Sequence, residues 1–469
     1  MIDERQSTII RGGNEPNRIE LRCVGNLVAI VLNDTAVESI QDDTFSRGVF
    51  SIGAYAPGSR VDAWFDDLVV WASPASSSRV TNVAPRLPSP RVSAPTPSPA
   101  SAQARTSQSR VWAWGDNDEG ELGGSSEAYS RTPVEVMGLS ETRFVASGGS
   151  HGLALSSNGS VWAWGQNARG QLGNGSIGPG PSDAGQVNGL TDVTAIAGGI
   201  QHSVALKADG TVWSWGSSRH FDLAARNARP EPEQVAGLSQ ITSIAPGGSG
   251  LAGIPSRGSS FSLAVRSDGT LWSWGEYNNA TGGPLVNGPF VRNGVAVLVP
   301  GLVHITSAAT GWSHGLALEG DGTVWAFGSN GMGQLGNGSL TNSGFPTRVA
   351  VLTGVTAVSA GGRHSLAVKS DGTLWAWGEN THGQLGAGDI TFSNIPLQVP
   401  GMNAIVAVAA GGSHSLALKG DGTVWAWGRN HLGQLGTGTV ADSSVPLQVA
   451  GLTGITGIAA GHHHSFANR

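Results

Sequence analysis

Histidine is the side chain of this chain that most invites a chemical reading, because it recurs at one place in a repeated pattern: His151, His202, His314, His364, His414 and His464. Imidazoles take up transition metals and move protons near neutral pH, and His462-His-His464 sets three of them side by side. The spacing speaks against a cluster. One histidine per repeat around a closed array would hold the six apart, so each is expected to close a turn by hydrogen bonding to nearby backbone. Phe261 stands at the matching place of the remaining copy, and His462 and His463 fill turn positions held by Gly412 and Ser413 one copy earlier. No Ser-His-Asp order, carboxylate pair or phosphate-cradling glycine loop rises above the repeat background. Cys23 is the single cysteine, which excludes an intramolecular disulfide and a zinc site built on several thiolates. The residues therefore call for no metal, no cofactor and no enzyme activity.

The elements that must position these histidines are short strands. In Gly361-Gly-Arg-His-Ser-Leu-Ala-Val-Lys-Ser-Asp-Gly372, followed by Thr373-Leu-Trp-Ala-Trp-Gly378, two strand-like runs flank Asp371-Gly372. Read as a two-residue hairpin turn, that pair places Val368 opposite Trp375, Ala367 opposite Ala376 and Leu366 opposite Trp377. Alternation then predicts one face carrying Leu366, Val368, Trp375 and Trp377 and another that is almost bare, as blade-on-blade stacking would need.

The Trp-x-Trp-Gly element starts at Trp112, Trp162, Trp213, Trp272, Trp375 and Trp425 and becomes Trp325-Ala-Phe-Gly328 in one copy, seven in all. Asn-Gly or Asp-Gly turns at Asn158, Asp209, Asp268, Asp321, Asp371 and Asp421 make only six hairpins. The last partner strand, His464-Ser-Phe-Ala467, ends without a Trp strand, and the first Trp strand, Val111 to Gly115, has no partner before it. Closing the array into a ring supplies both, with Ala467 opposite Ala113 and Phe466 opposite Trp114. A Gly-Gln-Leu-Gly loop, a Pro-led strand such as Pro396-Leu-Gln-Val399 and an apolar strand such as Ile405 to Ala410 complete four strands per repeat. The fold class is all-β, a seven-bladed propeller over residues 110–469 closed by its first and last strands.

His-Ser-Leu-Ala-Leu, Asp-Gly-Thr-Val-Trp-Ala-Trp-Gly, Asn-x-x-Gly-Gln-Leu-Gly and Ala-Ala-Gly-Gly-x-His recur in fixed order. Together they resemble the regulator of chromosome condensation repeat family, and that resemblance implies a seven-bladed propeller as well. Residues 1–72 read as antiparallel β. Asn17 to Gly25, Val31 to Thr35, Asp42 to Phe45 and Phe65 to Leu68 resemble the closing half of a concanavalin A-like (laminin-G-like) jelly roll, a partial β-sandwich. Residues 73–109, with Pro88-Ser-Pro-Arg-Val-Ser-Ala-Pro-Thr-Pro-Ser-Pro99, read as a Pro/Ser-rich linker. Because half a sandwich is missing, one expectation is that the chain begins inside a longer protein. A secreted or cell-surface location follows in that case, and a cytoplasmic one otherwise.

With 469 residues, 71 Gly, 16 Trp, 13% charged residues and net charge −6, the composition suits tight turns and short strands. Its only lysines are Lys207, Lys369 and Lys419, so a nucleic-acid footprint is absent. No apolar run reaches the length of a membrane span.

Function is then expected in the turns that vary from copy to copy on one rim. The positions are Gly149-Ser150, Ile200-Gln201, Ser259-Ser260, Trp312-Ser313, Gly362-Arg363, Gly412-Ser413 and His462-His463, with an insertion around Arg257. Trp312, Arg363, Gln201, Arg257, His462 and His463 are the candidate contact residues. Trp312, the one array tryptophan outside the repeated motif, is either a contact residue or a plug in a blade junction. The leading expectation is a non-catalytic scaffold that binds a protein or other macromolecule through this rim. The family resemblance implies two alternatives, guanine-nucleotide exchange on a small GTPase and a UV-B photoreceptor built on clustered tryptophans. Glycan contact through the N-terminal segment is a further one.

Overall fold

In the computed structural model, residues 109–179, 183–217, 228–247, 260–276 and 296–469 are described, together with the backbone of short strands between Ile19 and Arg60. The first unit of the array to fold as a complete sheet joins Thr142–Ser147, His151–Ser156, Val161–Gly165 and Gly185–Gln186, running from the inside outwards. We number it blade 1. Five more sheets of the same antiparallel order follow, and blade 7 joins Gly457–Ala460 and His464–Asn468 to Val111–Asp116 and Tyr129–Glu135. The two ends of the array thus share one sheet, as the missing seventh turn requires. Among the described residues there is no helix.

The hairpins differ from expectation by one residue. In blade 5, strands His364–Lys369 and Leu374–Glu379 pair Ser365 with Trp377, Leu366 with Ala376, Ala367 with Trp375 and Val368 with Leu374. The loop is three residues, not two: Gly372 N–H donates to Lys369 C=O (2.8 Å) and Lys369 N–H to Thr373 C=O (3.0 Å). Gly372 alone has positive φ, +77°, which is the geometry of a turn followed by a one-residue bulge. Asp371 does other work, its Oδ1 accepting from Thr373 N–H (3.0 Å) and Thr373 Oγ1–H (2.6 Å). Thr373 Oγ1 in turn accepts from Trp375 Nε1–H (3.1 Å), which ties the half-buried indole to the turn.

A one-residue slip exchanges the faces of one strand. Each face therefore carries large side chains from one strand opposite small ones from its neighbour, not a bulky face and a bare one. Trp375 and Trp377 lie over Ser365 and Ala367 and pack with Leu316, Leu335 and Val349 of blade 4. Leu366, Val368, Leu374 and Ala376 look the other way and receive Trp427 of blade 6. The closing blade has the same register, Ala467 opposite Trp112, Phe466 opposite Ala113 and Ser465 opposite Trp114. Truncating an indole such as Trp377, which is fully buried, would cost about 3–5 kcal/mol.

Towards the N-terminus, Ile19–Val24, Leu27–Leu32 and Thr35–Gln41 pair as an antiparallel meander. Tyr55–Ala56 pairs with Ser59–Arg60, and the rest of the partial sandwich expected over residues 1–72 lies outside the described residues, as does nearly all of the expected linker at 73–109.

Candidate interaction rim and axial mouth

Each repeat histidine is buried and reaches the following blade. His364 Nε2 lies 2.9 Å from Ser415 Oγ, His414 Nε2 2.9 Å from Ser465 Oγ, and His314 Nε2 2.9 Å from Ser365 Oγ. The same pairing joins His151 to Ser203 and His202 to Ser262. Ser415 Oγ–H donates to Gln384 C=O (2.8 Å), so the hydroxyl must accept from the histidine, which puts the proton of the neutral ring on Nε2. The same carbonyl also accepts from Trp427 Nε1–H (2.9 Å). His, Ser, Trp and the Gln-Leu-Gly loop thus form one polar clasp between adjacent blades. Gly386 of that loop is obligatory, since a Cβ there would stand 2.9 Å from Trp427 Nε1 and its φ is +66°. Burial pushes His151 and His364 down to about 4, and burial with neighbouring imidazoles pushes His314, His414 and His464 to about 3. The expected bond to nearby backbone is therefore replaced by a side-chain bond across a blade junction.

Two departures are instructive. Gly152 offers no hydroxyl to His464, whose Nε2 turns instead to Ser147 Oγ (2.7 Å). At Phe261 the imidazole is lost, and the opposing position in blade 4 is Gly315, on whose bare backbone the Phe327 ring rests. The signal for the clasp was present as a His-Ser dipeptide recurring one repeat apart, with Phe261 preceding a copy that lacks the serine.

The turns ahead of these histidines meet around the axis. Gly412 N–H donates to Gly461 C=O (3.0 Å), Gly362 to Gly411 (3.1 Å), His462 to Gly149 (3.0 Å), Gly149 to Gly199 (3.1 Å) and Trp312 to Gly362 (3.4 Å). They surround an open mouth lined by turn glycines, Ile200, Trp312 and His462. Trp312 is half-buried and leans over blade 5, where a Cβ at Gly362 would come within 3.0 Å of its ring. A Cβ at Gly412 would run into the His462 ring. Trp312 and His462 then meet edge to face at 5.1 Å. Trp312 is accordingly a plug at the axial mouth that keeps an accessible surface.

The second residue of each turn pair sits farther out, beside the residue that follows Trp-x-Trp-Gly. Arg363 C=O accepts from Glu379 N–H (2.9 Å), Ser413 from Arg429 (2.9 Å), His463 from Asp116 (3.0 Å) and Gln201 from Ser217 (2.8 Å). Arg363 is exposed, Gln201 is half-buried, and Arg257 lies outside the described residues. His463 stacks on His462 at 4.0 Å and meets His431 edge to face at 5.1 Å. Burial and adjacent imidazoles press His463 to about 2, while burial and the Arg429 charge press His462 to about 4. Among the described residues no group of three or more His, Cys, Asp or Glu side chains is arranged to hold a metal.

Blade 7 carries the one carboxylic variant of the Gln-Leu-Gly loop. Glu121 is buried, and burial together with the Asp116 charge pushes it up to about 7. In blade 1 the corresponding pair is an amide couple, Gln171 Nε2–H donating to Gln166 Oε1 (3.1 Å).

Comparisons with known proteins agree with this geometry. A profile of the regulator of chromosome condensation (RCC1) repeat matches residues 108–155 and 158–206, a second repeat profile matches 143–171 and 193–221, and an RCC1-like domain profile matches 255–468. The ultraviolet-B receptor UVR8 of Arabidopsis thaliana is 28% identical over 237 residues, 47% of this chain and 49% of that protein. Human protein RCC2 is 45% identical over 75 residues, 16% of this chain and 14% of its own. The chain thus spans about half the length, or less, of these relatives. Among solved structures, Prp20p of Saccharomyces cerevisiae superposes with a TM-score of 0.68 at 23% identity, covering 78% of this chain and 92% of that one. Human WBSCR16 superposes at 0.65 with 19% identity, covering 77% and 98%. Residues 110–469 are a seven-bladed propeller built of regulator of chromosome condensation repeats.

Proposed function

We propose that the chain is a non-catalytic interaction scaffold whose variable turns around the axial mouth bind a protein partner. One observation carries this reading: the polar residues that recur from repeat to repeat, the histidines and their serine partners, are consumed in holding blades together, whereas the variable pairs are presented around an open mouth. The histidines face serines of the next blade and the inner tryptophans donate to loop carbonyls. Those tryptophans serve packing, which favours a binding rim over a light-sensing role. Structural relatives lend the reading general support, since Prp20p has been studied for binding to Gsp1p and histones and has been seen bound to Kap60. Nucleotide exchange on a small GTPase is the narrower version of the same idea, and it would use this rim as its contact surface.

The test replaces the turn pairs at 200–201, 312–313, 362–363 and 462–463 by Gly-Ser in the full chain, which makes them match 149–150 and 412–413, where Gly-Ser already stands. Partners captured by the native chain should be lost by the variant while its thermal midpoint stays within a few degrees. Retention of every partner would overturn the scaffold reading. Release of labelled guanine nucleotide from a panel of small GTPases would promote the exchange reading.

A further inference from the structure

Four aromatic rings run outward from the axial mouth without a break: Trp312, His462, His463 and His431, with successive centroids 5.1, 4.0 and 5.1 Å apart. Glycines at 362 and 412 make room for the run, because any side chain there would strike Trp312 or His462. Burial first, and with it the positive charge of Arg429, lowers all three of these histidines and favours their neutral form. Arg363 stands exposed on the neighbouring turn of blade 5. Among the described residues neither guanidinium has an ion-pair partner. The nearby acid Asp442 is engaged with His382 at 2.9 Å and, through Oδ1, with Asn430 N–H at 2.7 Å. Two guanidiniums without an ion-pair partner among the described residues therefore stand beside a continuous run of rings, stacked at its centre and edge to face at both ends.

We infer that this sector of the rim, from Trp312 to His431 with Arg363 and Arg429, binds an acidic peptide segment of a partner, in which a carboxylate lies next to an apolar or aromatic side chain. The carboxylate fits the planar donor fork of arginine, and the apolar neighbour fits the ring track. The proposal rests on the scaffold reading and specifies its partner. Single-stranded nucleic acid would also stack on rings beside arginine, but the surroundings favour a short peptide. Lys207, Lys369 and Lys419 sit over Trp213, Trp375 and Trp425 at 5.5, 5.6 and 4.5 Å, away at the hairpin ends. Asp116, whose N–H bonds His463 C=O, and Glu119 behind it put negative charge next along the rim. A long polyanion crossing that sector would be repelled, whereas one or two carboxylates would not reach it.

The experiment pans a phage-displayed random peptide library on the full chain and measures the enriched peptides by fluorescence anisotropy. Enriched sequences should carry Asp or Glu beside an apolar residue, bind more weakly as salt rises, and lose about tenfold in affinity on Arg429→Ala, the scale of one charge-assisted contact. Arg363→Ala should act in the same direction, and thermal melting should show both variants folded. Enrichment of neutral peptides, or unchanged affinity in the Arg363→Ala/Arg429→Ala double variant, would overturn the proposal. So would tighter binding of oligo-dT than of any peptide. Loss of binding only when 200–201 is replaced would remove this sector and leave the scaffold reading standing. Failure of any peptide to enrich, with partners still captured by the Gly-Ser rim variant, would remove both.

Discussion

The junction between blades 5 and 6 and the junction between blades 3 and 4 occupy equivalent places in the ring and are held by opposite means. At the first, His364, Ser415, Trp427 and the Gln384 carbonyl share three hydrogen bonds in a dry interface. At the second, Phe261, Gly315 and Phe327 stand where histidine, serine and tryptophan are usual, and Leu263, Val299 and Trp325 pack around them. The difference is a matched set. A buried imidazole without a hydroxyl acceptor leaves a desolvated donor, at a cost of about 1–3 kcal/mol, so a lost serine is answered either by an apolar set, as here, or by another acceptor, as Ser147 is for His464. The histidines belong to the polar sets, with Nε2 committed to a serine hydroxyl of the next blade.

The comparison can be broken most severely where the ring closes. Ala467 is fully buried opposite Trp112, and Ala467→Lys would bury an unpaired ammonium. Loss of about 4 kcal/mol or more is expected, read as a collapse of the urea midpoint, and an unchanged midpoint would refute the closing blade. Next, Phe261→His places an imidazole where Gly315 offers no hydroxyl, and about 3 kcal/mol should be lost.

At the polar junction, His364→Phe and Ser415→Gly should each cost about 2–3 kcal/mol, and the double variant should cost less than their sum by ~1 kcal/mol. Strict additivity in denaturant titrations would show that the residues are not a set.

Acid should sharpen the contrast. His151, His314, His364, His414 and His464 are depressed from about 6.5 unfolded to about 3 or 4 folded. The unfolded chain therefore binds protons first: stability is full above pH 6.5 and falls as pH drops from there towards 4. The His364→Phe/Ser415→Gly chain should lose stability less steeply across that window, by about one proton in the slope. Glu121 has the opposite sign. With its carboxyl raised to about 7, its contribution is full below about pH 4.5 and lost as pH rises through 7, so Glu121→Gln should raise the thermal midpoint at pH 8 and leave it nearly unchanged at pH 4.

Much of this was legible in the sequence, and the gaps have physical causes. Repeat length, strand count and ring closure follow from turns and tryptophans alone. The register differs because Asp371-Gly372 suits two turn types, and the three-residue one lets the Asp371 carboxylate accept from Thr373 N–H. The histidine partner escaped because it lies about one repeat away, beyond the reach of local turn reasoning. Trp312 stood out by being outside the motif, but its contact with His462 joins residues from blades 4 and 7 across the mouth of the ring, which no periodicity encodes.

The shared sheet of blade 7 also sets a timetable. Val111–Asp116 is the first propeller strand to leave the ribosome, and its partner His464–Asn468 is the last. Until synthesis of that final strand ends, blade 7 lacks its middle and Ala113 and Trp114 wait uncovered beside the growing chain. The nascent propeller is thus most exposed to aggregation, and most dependent on chaperones, at its oldest strand and not its newest.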